Sequence, residues 1–127
     1  MKLSTINSQP DRIWAAISGP IATAAQVVYD AWDGEGGGIC DEIAQEIISV
    51  ILDVFPDAKA EVGGQDGDDH AYVVTLIDGS VFMVDILPSI YEQGGGYNWT
   101  KIPNVRFTPK DVVVYPLDLT WEEVSGE

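Results

Sequence analysis

Apolar residues recur every three or four positions along two stretches of this chain, and β-branched and aromatic residues cluster in shorter runs farther on. Ile13, Trp14, Ile17, Ile21, Ala24, Ala25, Val28 and Trp32 predict a mostly helical segment from Asp11 to Trp32, one stripe of it turned to a core. Pro10-Asp11 opens the segment, with Ser8 or Asp11 as caps. Gly19-Pro20 interrupts it, and a proline disfavours helical geometry in the residue before it, so a kink or two helices is expected. After a glycine-rich loop from Asp33 to Gly38, the clearest helix runs from Cys40 to Phe55. Ile43, Ala44, Ile47, Ile48, Ile51, Leu52 and Phe55 form its apolar face, Asp41 and Glu42 suit its N-terminal dipole, and Pro56 ends it.

The strands are marked by composition and turns. Lys59 to Gly63 reads as a short strand or connector, followed by an acidic glycine loop, Gly63 to Asp69. Ala71 to Ile77 and Ser80 to Leu87 read as a hairpin closed by Asp78-Gly79, a two-residue turn of the primed type. If Ile77 faces Ser80, then Tyr72 faces Asp85 and His70 faces Leu87. His70 and Asp85 then share a face as diagonal neighbours, roughly 7–8 Å apart at the backbone. That face, with Tyr72, Val74, Leu76, Val81, Met83 and Leu87, is expected to pack on the Cys40 helix. Pro88 to Tyr91 reads as a turn or short helix, and Glu92 to Thr100 as a second glycine loop. Ile102 to Phe107 and Val112 to Tyr115 read as two further strands linked by Thr108 to Asp111. Asp118 to Glu127 is an acidic tail expected to fray, with Trp121 docked.

This order predicts one α+β domain over residues 1–127. Its parts are an N-terminal helical segment (1–35), a core (36–117) in which N-terminal helices and a Cys-bearing helix pack on an antiparallel sheet of about four to five strands, and the tail (118–127). The net charge of −15, from 21 acids against 6 bases, disfavours nucleic-acid backbones and anionic membranes as partners and favours a basic protein partner or plain solubility. No apolar run is long enough to span a bilayer, and the first residues lack the apolar segment of a signal peptide, so a cytoplasmic location is expected. A single cysteine forms no internal disulfide, which fits a reducing compartment.

That cysteine is also the candidate chemistry. Gly36-Gly37-Gly38-Ile39-Cys40-Asp41-Glu42 places a thiol at the first turn of an amphipathic helix. A helix N-terminus and a nearby imidazole both favour the thiolate of a cysteine, and Cys40 is placed to use both. Asp41, Glu42, Asp68 and Asp69 work against it by bringing negative charge. His70, the one histidine, is the candidate base and acid, and Asp85 the group that orients it. The Cys40 backbone N–H and a donor from the glycine loop are the candidate oxyanion hole. Trp32, Gly38, Tyr72, Tyr97 and Trp99 are candidates for contacts to substrate, and Tyr91, Tyr97 and Trp99 read equally well as the wall of a cleft or as a cover over the sheet. The glycine runs lack the lysine of a phosphate loop, and one cysteine with one histidine makes no zinc spacing. Asp66 and Asp68 begin like a calcium loop, but Ile77 stands where its closing glutamate belongs. No metal and no cofactor is expected.

A cysteine opening a helix, His70-Ala71-Tyr72-Val73 opening a strand and Val81-Phe82-Met83-Val84-Asp85 on the next strand resemble the papain-like core, nearest its transglutaminase-like and NlpC-type branches. The resemblance covers about residues 36 to 88. It implies a thiol hydrolase or acyltransferase acting on a peptide, isopeptide or amide bond, with Cys40 as nucleophile, His70 as general base and Asp85 as orienting acid. The chain departs from the pattern before the cysteine, where papain relatives carry a glutamine and this chain has Trp32, Asp33 and Glu35. The alternative is a non-catalytic acidic binding or inhibitor protein, phage-type in character, that keeps such a core without the chemistry.

Overall fold

The computed structural model describes residues 3–34, 38–63, 70–94 and 99–125, with side chains from residue 10 onward. Its helices are α1 (Leu3–Ala31), α2 (Cys40–Val54) and the short α3 (Trp121–Ser125). Its strands are β1 (Lys59–Gly63), β2 (Tyr72–Ile77), β3 (Ser80–Ile86), β4 (Glu92–Gln93), β5 (Thr100–Lys101) and β6 (Val112–Leu117). The fold is α+β: an antiparallel sheet in the order β1-β2-β3-β6, beside a two-stranded ribbon of β4 and β5. Among the described residues, no helix is long and apolar enough to cross a membrane.

α1 corrects the expectation of a kink or two helices, because it is one helix with Pro10 and Pro20 inside it. It also begins well before the caps expected at Ser8 or Asp11. Gly19 explains the tolerance at Pro20. The clash that a proline imposes falls largely on the Cβ of the preceding residue, and Gly19 has none. Burial of Ile13, Ile17, Ile21 and Ala25 then holds the helix together across the missing backbone donor. α2 has the expected bounds to within a residue, and Ile43, Ala44, Ile47 and Ile51 are buried. Leu52 was expected on that face but is exposed.

The hairpin register is as expected, with Val73 opposite Val84 and Ile77 opposite Ser80. Asp78 and Gly79 both have positive φ, at 50° and 81°, as the primed turn requires. The faces are reversed from expectation. Val73, Ile77, Phe82, Val84 and Ile86 join the stripes of α1 and α2 in the main core, and Val112 of β6 completes it. Val74 and Val81 instead form a second, smaller cluster under Trp121, with Tyr72 and Leu76 at its margin. The sheet is therefore covered on both sides, by two long helices on one and by a single docked tryptophan on the other. Both faces of the hairpin are apolar, so alternation alone does not tell which one the long helices take.

The segment from Ile102 to Phe107 is not a strand, contrary to expectation. Pro103 removes a donor, Asn104 turns the chain at a φ of 63°, and α1 supplies the partners that a sheet would have given. The Phe107 N–H donates to Gln26 Oε1 (2.8 Å), Gln26 Nε2 donates to the Val105 carbonyl (3.1 Å), and the Tyr29 hydroxyl donates to the Ile102 carbonyl. β6 consequently pairs with β3, Val84 facing Val114. Thr108 and Asp111 close a capping box on the 3-10 turn that leads into it. The second glycine loop is flanked by β4 and β5, a ribbon absent from the expected elements. Its Lys101 Nζ donates to the carbonyls of Tyr29 (3.0 Å) and Trp32 (2.7 Å), so a cation closes the C-terminus of α1.

Candidate active site

Cys40, the first residue of α2, is half-buried where the helix tip meets the end of the sheet. The Ala71 N–H donates to Cys40 Sγ at 3.4 Å, which joins the helix to the backbone entering β2. One residue earlier, His70 Nε2 lies 2.6 Å from Asp85 Oδ2. Asp85 is buried at 3 % exposure on β3, while the imidazole keeps about a quarter of its surface, 28 %. The register explains the pair: Tyr72 would face Asp85, and His70, two residues before it, lies diagonally across on the same face.

The electrostatics bind the three groups into one unit. The His70 pKa is pushed up to about 10, first by the hydrogen bond to Asp85, then by one to the Cys40 side chain, with burial pulling the other way. Burial pushes the Asp85 carboxyl up, and His70 draws it back. Nε2 of the ring is taken by Asp85. Nδ1 is itself buried with no partner within hydrogen-bond distance among the described residues.

The substrate-contact candidates fall into different places. Tyr72 is half-buried with its ring centroid 6.2 Å from that of His70. Gly38, two residues before Cys40, lies against the Glu92 carboxyl, and a Cβ placed on it would meet Oε2 at 2.4 Å. Trp32 is packed in the main core at 9 % exposure, with Lys101 Nζ 6.0 Å from its ring. Trp99 is half-buried, and Tyr97 lies outside the described residues, as do Asp66, Asp68 and Asp69. Among the described residues, no cluster of three or more His, Cys, Asp or Glu side chains is arranged to hold a metal ion. A surface pocket of about 390 Å³, lined by Tyr29, Lys101, Asn104 and Arg106 among others, lies at the C-terminus of α1 and is separate from Cys40.

Two further residues stand at the site, Tyr91, read from the sequence as a cleft wall or a cover over the sheet, and Glu92, which carried no signal there. Tyr91 is fully buried, its hydroxyl has no partner among the described residues, and burial raises its pKa, with the charges of Glu92, Cys40 and Asp85 adding to the effect. Glu92 is 4 % exposed with Oε2 unpartnered among the described residues, and burial pushes its carboxyl up. A glutamate after a tyrosine at the start of a glycine loop reads as solvated, and only the β4–β5 ribbon turns it inward.

No protein-family model matches this chain, nor does any curated protein or solved structure.

Proposed function

We propose that this protein is a thiol hydrolase or acyltransferase with a papain-like core, acting on an amide, peptide or isopeptide bond through Cys40, His70 and Asp85. The observation that carries the reading is the 2.6 Å His70–Asp85 contact formed where the Cys40 sulfur accepts from the Ala71 N–H, so that all three side chains meet at one helix tip. A pKa near 10 keeps His70 protonated at neutral pH, and an imidazolium beside a cysteine favours its thiolate.

The steps follow from that arrangement. The sulfur adds to the carbonyl carbon, a C–S bond forms, and the carbonyl π pair moves to oxygen. Collapse breaks the C–N bond, and His70 gives its proton to the departing amine. Water, or an acceptor amine in the case of transfer, then attacks the thioester, gives a proton to His70 and releases the sulfur with the C–S electron pair. Asp85 keeps the ring oriented throughout.

The net charge of −15 favours a second reading, an acidic binding protein for a basic partner. Iodoacetamide alkylation at neutral pH separates the two. The thiol-enzyme reading expects Cys40 to react at least tenfold faster than a free model thiol, and His70→Ala to remove the advantage. Labelling no faster than the free thiol, together with salt-sensitive binding to a basic protein, would favour the second.

A further inference from the structure

The second oxyanion donor is the part of the site that the sequence left in doubt, since no glutamine stands shortly before Cys40, where Trp32, Asp33 and Glu35 lie instead. The structure brings a different residue beside Gly38 from β4. Both Glu92 carboxyl oxygens crowd Gly38, with Oε2 2.4 Å and Oε1 2.8 Å from where a Cβ on that glycine would sit. The carboxyl thus packs against the residue two positions before Cys40, near enough to His70 for the imidazolium to act on it. It is buried at 4 % exposure, and Oε2 has no partner among the described residues. A buried polar atom with no partner costs free energy and is retained where something else meets it. Lys101 is its backbone partner across the ribbon but sends its ammonium to Tyr29 and Trp32, which leaves Glu92 without a cation of its own there.

We propose that Glu92, as a carboxylic acid, is the second oxyanion donor of the Cys40 site, working beside the Cys40 backbone N–H. The proposal rests on the thiol-enzyme reading of Cys40. When the sulfur adds to an acyl carbon and the carbonyl pair moves to oxygen, the Oε2–H group hydrogen-bonds that oxygen. The proton stays on Glu92, and the pair returns to carbon as the leaving group departs. An ionised Glu92 would repel the same oxygen, so the acid form is the useful one. Burial favours that form, and the His70 cation opposes it. Of the charged groups nearby, His70 acts on the carboxyl directly and Lys101 faces it across the ribbon, while Glu92, Cys40, Asp85 and Asp41 all act on the adjoining Tyr91. Tyr91 is the rival donor, because its hydroxyl is also buried and unpartnered among the described residues.

Two probes on the same full-length protein separate these roles. Iodoacetamide alkylates sulfur without forming an oxyanion, whereas p-nitrophenyl acetate acylates it through one. Glu92→Ala is expected to keep the alkylation rate within twofold and to slow acylation roughly 100-fold, the usual loss for one oxyanion donor. Glu92→Gln, which keeps a neutral donor of the same shape, is expected to restore acylation to within about fivefold at neutral pH. A fall in acylation expected of wild type as Glu92 ionises with rising pH should be absent from this variant. Equal slowing of both probes in Glu92→Ala, or a large loss of acylation alone in Tyr91→Phe, would overturn the assignment of Glu92. Wild-type alkylation no faster than a free thiol would overturn the reading of Cys40 beneath it, a failure visible without any Glu92 variant.

Discussion

His70 Nε2 and Asp85 Oδ2 stand 2.6 Å apart across a hairpin whose register is set at its far end by Asp78-Gly79. The contact is a consequence of strand geometry, because residues at that diagonal offset lie roughly 7–8 Å apart, within reach of a long aromatic side chain such as histidine's. It also isolates one titration in the whole chain, since His70 is the only histidine. NMR of the ring nitrogens is expected to show a midpoint near 10, well above the ordinary 6.5. In Asp85→Asn the largest raising cause is gone, and the midpoint should fall by more than one unit. An unchanged midpoint would mean that the carboxylate does not hold the proton.

The same shift makes stability depend on pH. A histidine whose folded pKa lies above its unfolded one contributes fully below the unfolded value, and that contribution is lost as pH rises through the folded value. For His70 the window runs from 6.5 to about 10. Wild type is therefore expected to unfold at higher temperature than His70→Gln at pH 6, with the gap closing by pH 10.5. Thermal unfolding of the two proteins across that range checks it. A gap of constant size would assign the difference to packing instead.

Gly38 and Glu92 are expected to be energetically coupled. A Cβ at Gly38 would run into the carboxyl oxygens of Glu92, whose side chain is buried on β4. Overpacking of this kind costs about 1–3 kcal/mol. Gly38→Ala should lose that much in urea unfolding and should lose little more when Glu92 is already alanine. A double-mutant cycle is expected to return about 1 kcal/mol or more of coupling. Additive losses would place the two residues farther apart than the structure does.

How much of this was legible beforehand divides along physical lines. Turn chemistry and period gave the hairpin register, the bounds of α2 and the meeting of His70 with Asp85, because each depends on neighbours within about 20 residues of chain. Choosing the face of the hairpin that meets α2 needed more. Val73 and Val84 look no different from Val74 and Val81 in the sequence, and only the docking of Trp121 separates them. The strand expected at Ile102 to Phe107 failed for a related reason: Gln26, 79 positions from Val105, satisfies its backbone from α1. Glu92 stayed hidden because nothing local distinguishes a buried glutamate from a solvated one.

The turn that fixes the register offers a last test, and one confined to the backbone. Gly79 holds a φ of 81°, and a Cβ there would meet nothing within 4 Å. Gly79→Ala therefore costs only the left-handed conformation, about 1 kcal/mol, with no clash added. Gly79→Asn should cost less, since asparagine enters that region more readily than alanine. Urea unfolding is expected to show this order with unchanged slope, and the His70 titration midpoint should stay where it was. A one-residue slip of the hairpin would instead turn Asp85 to the opposite face and carry it away from His70. That would bring the midpoint down toward the ordinary histidine value, so a Gly79→Ala protein with a lowered His70 midpoint would show that the turn selects the register, beyond merely tolerating it.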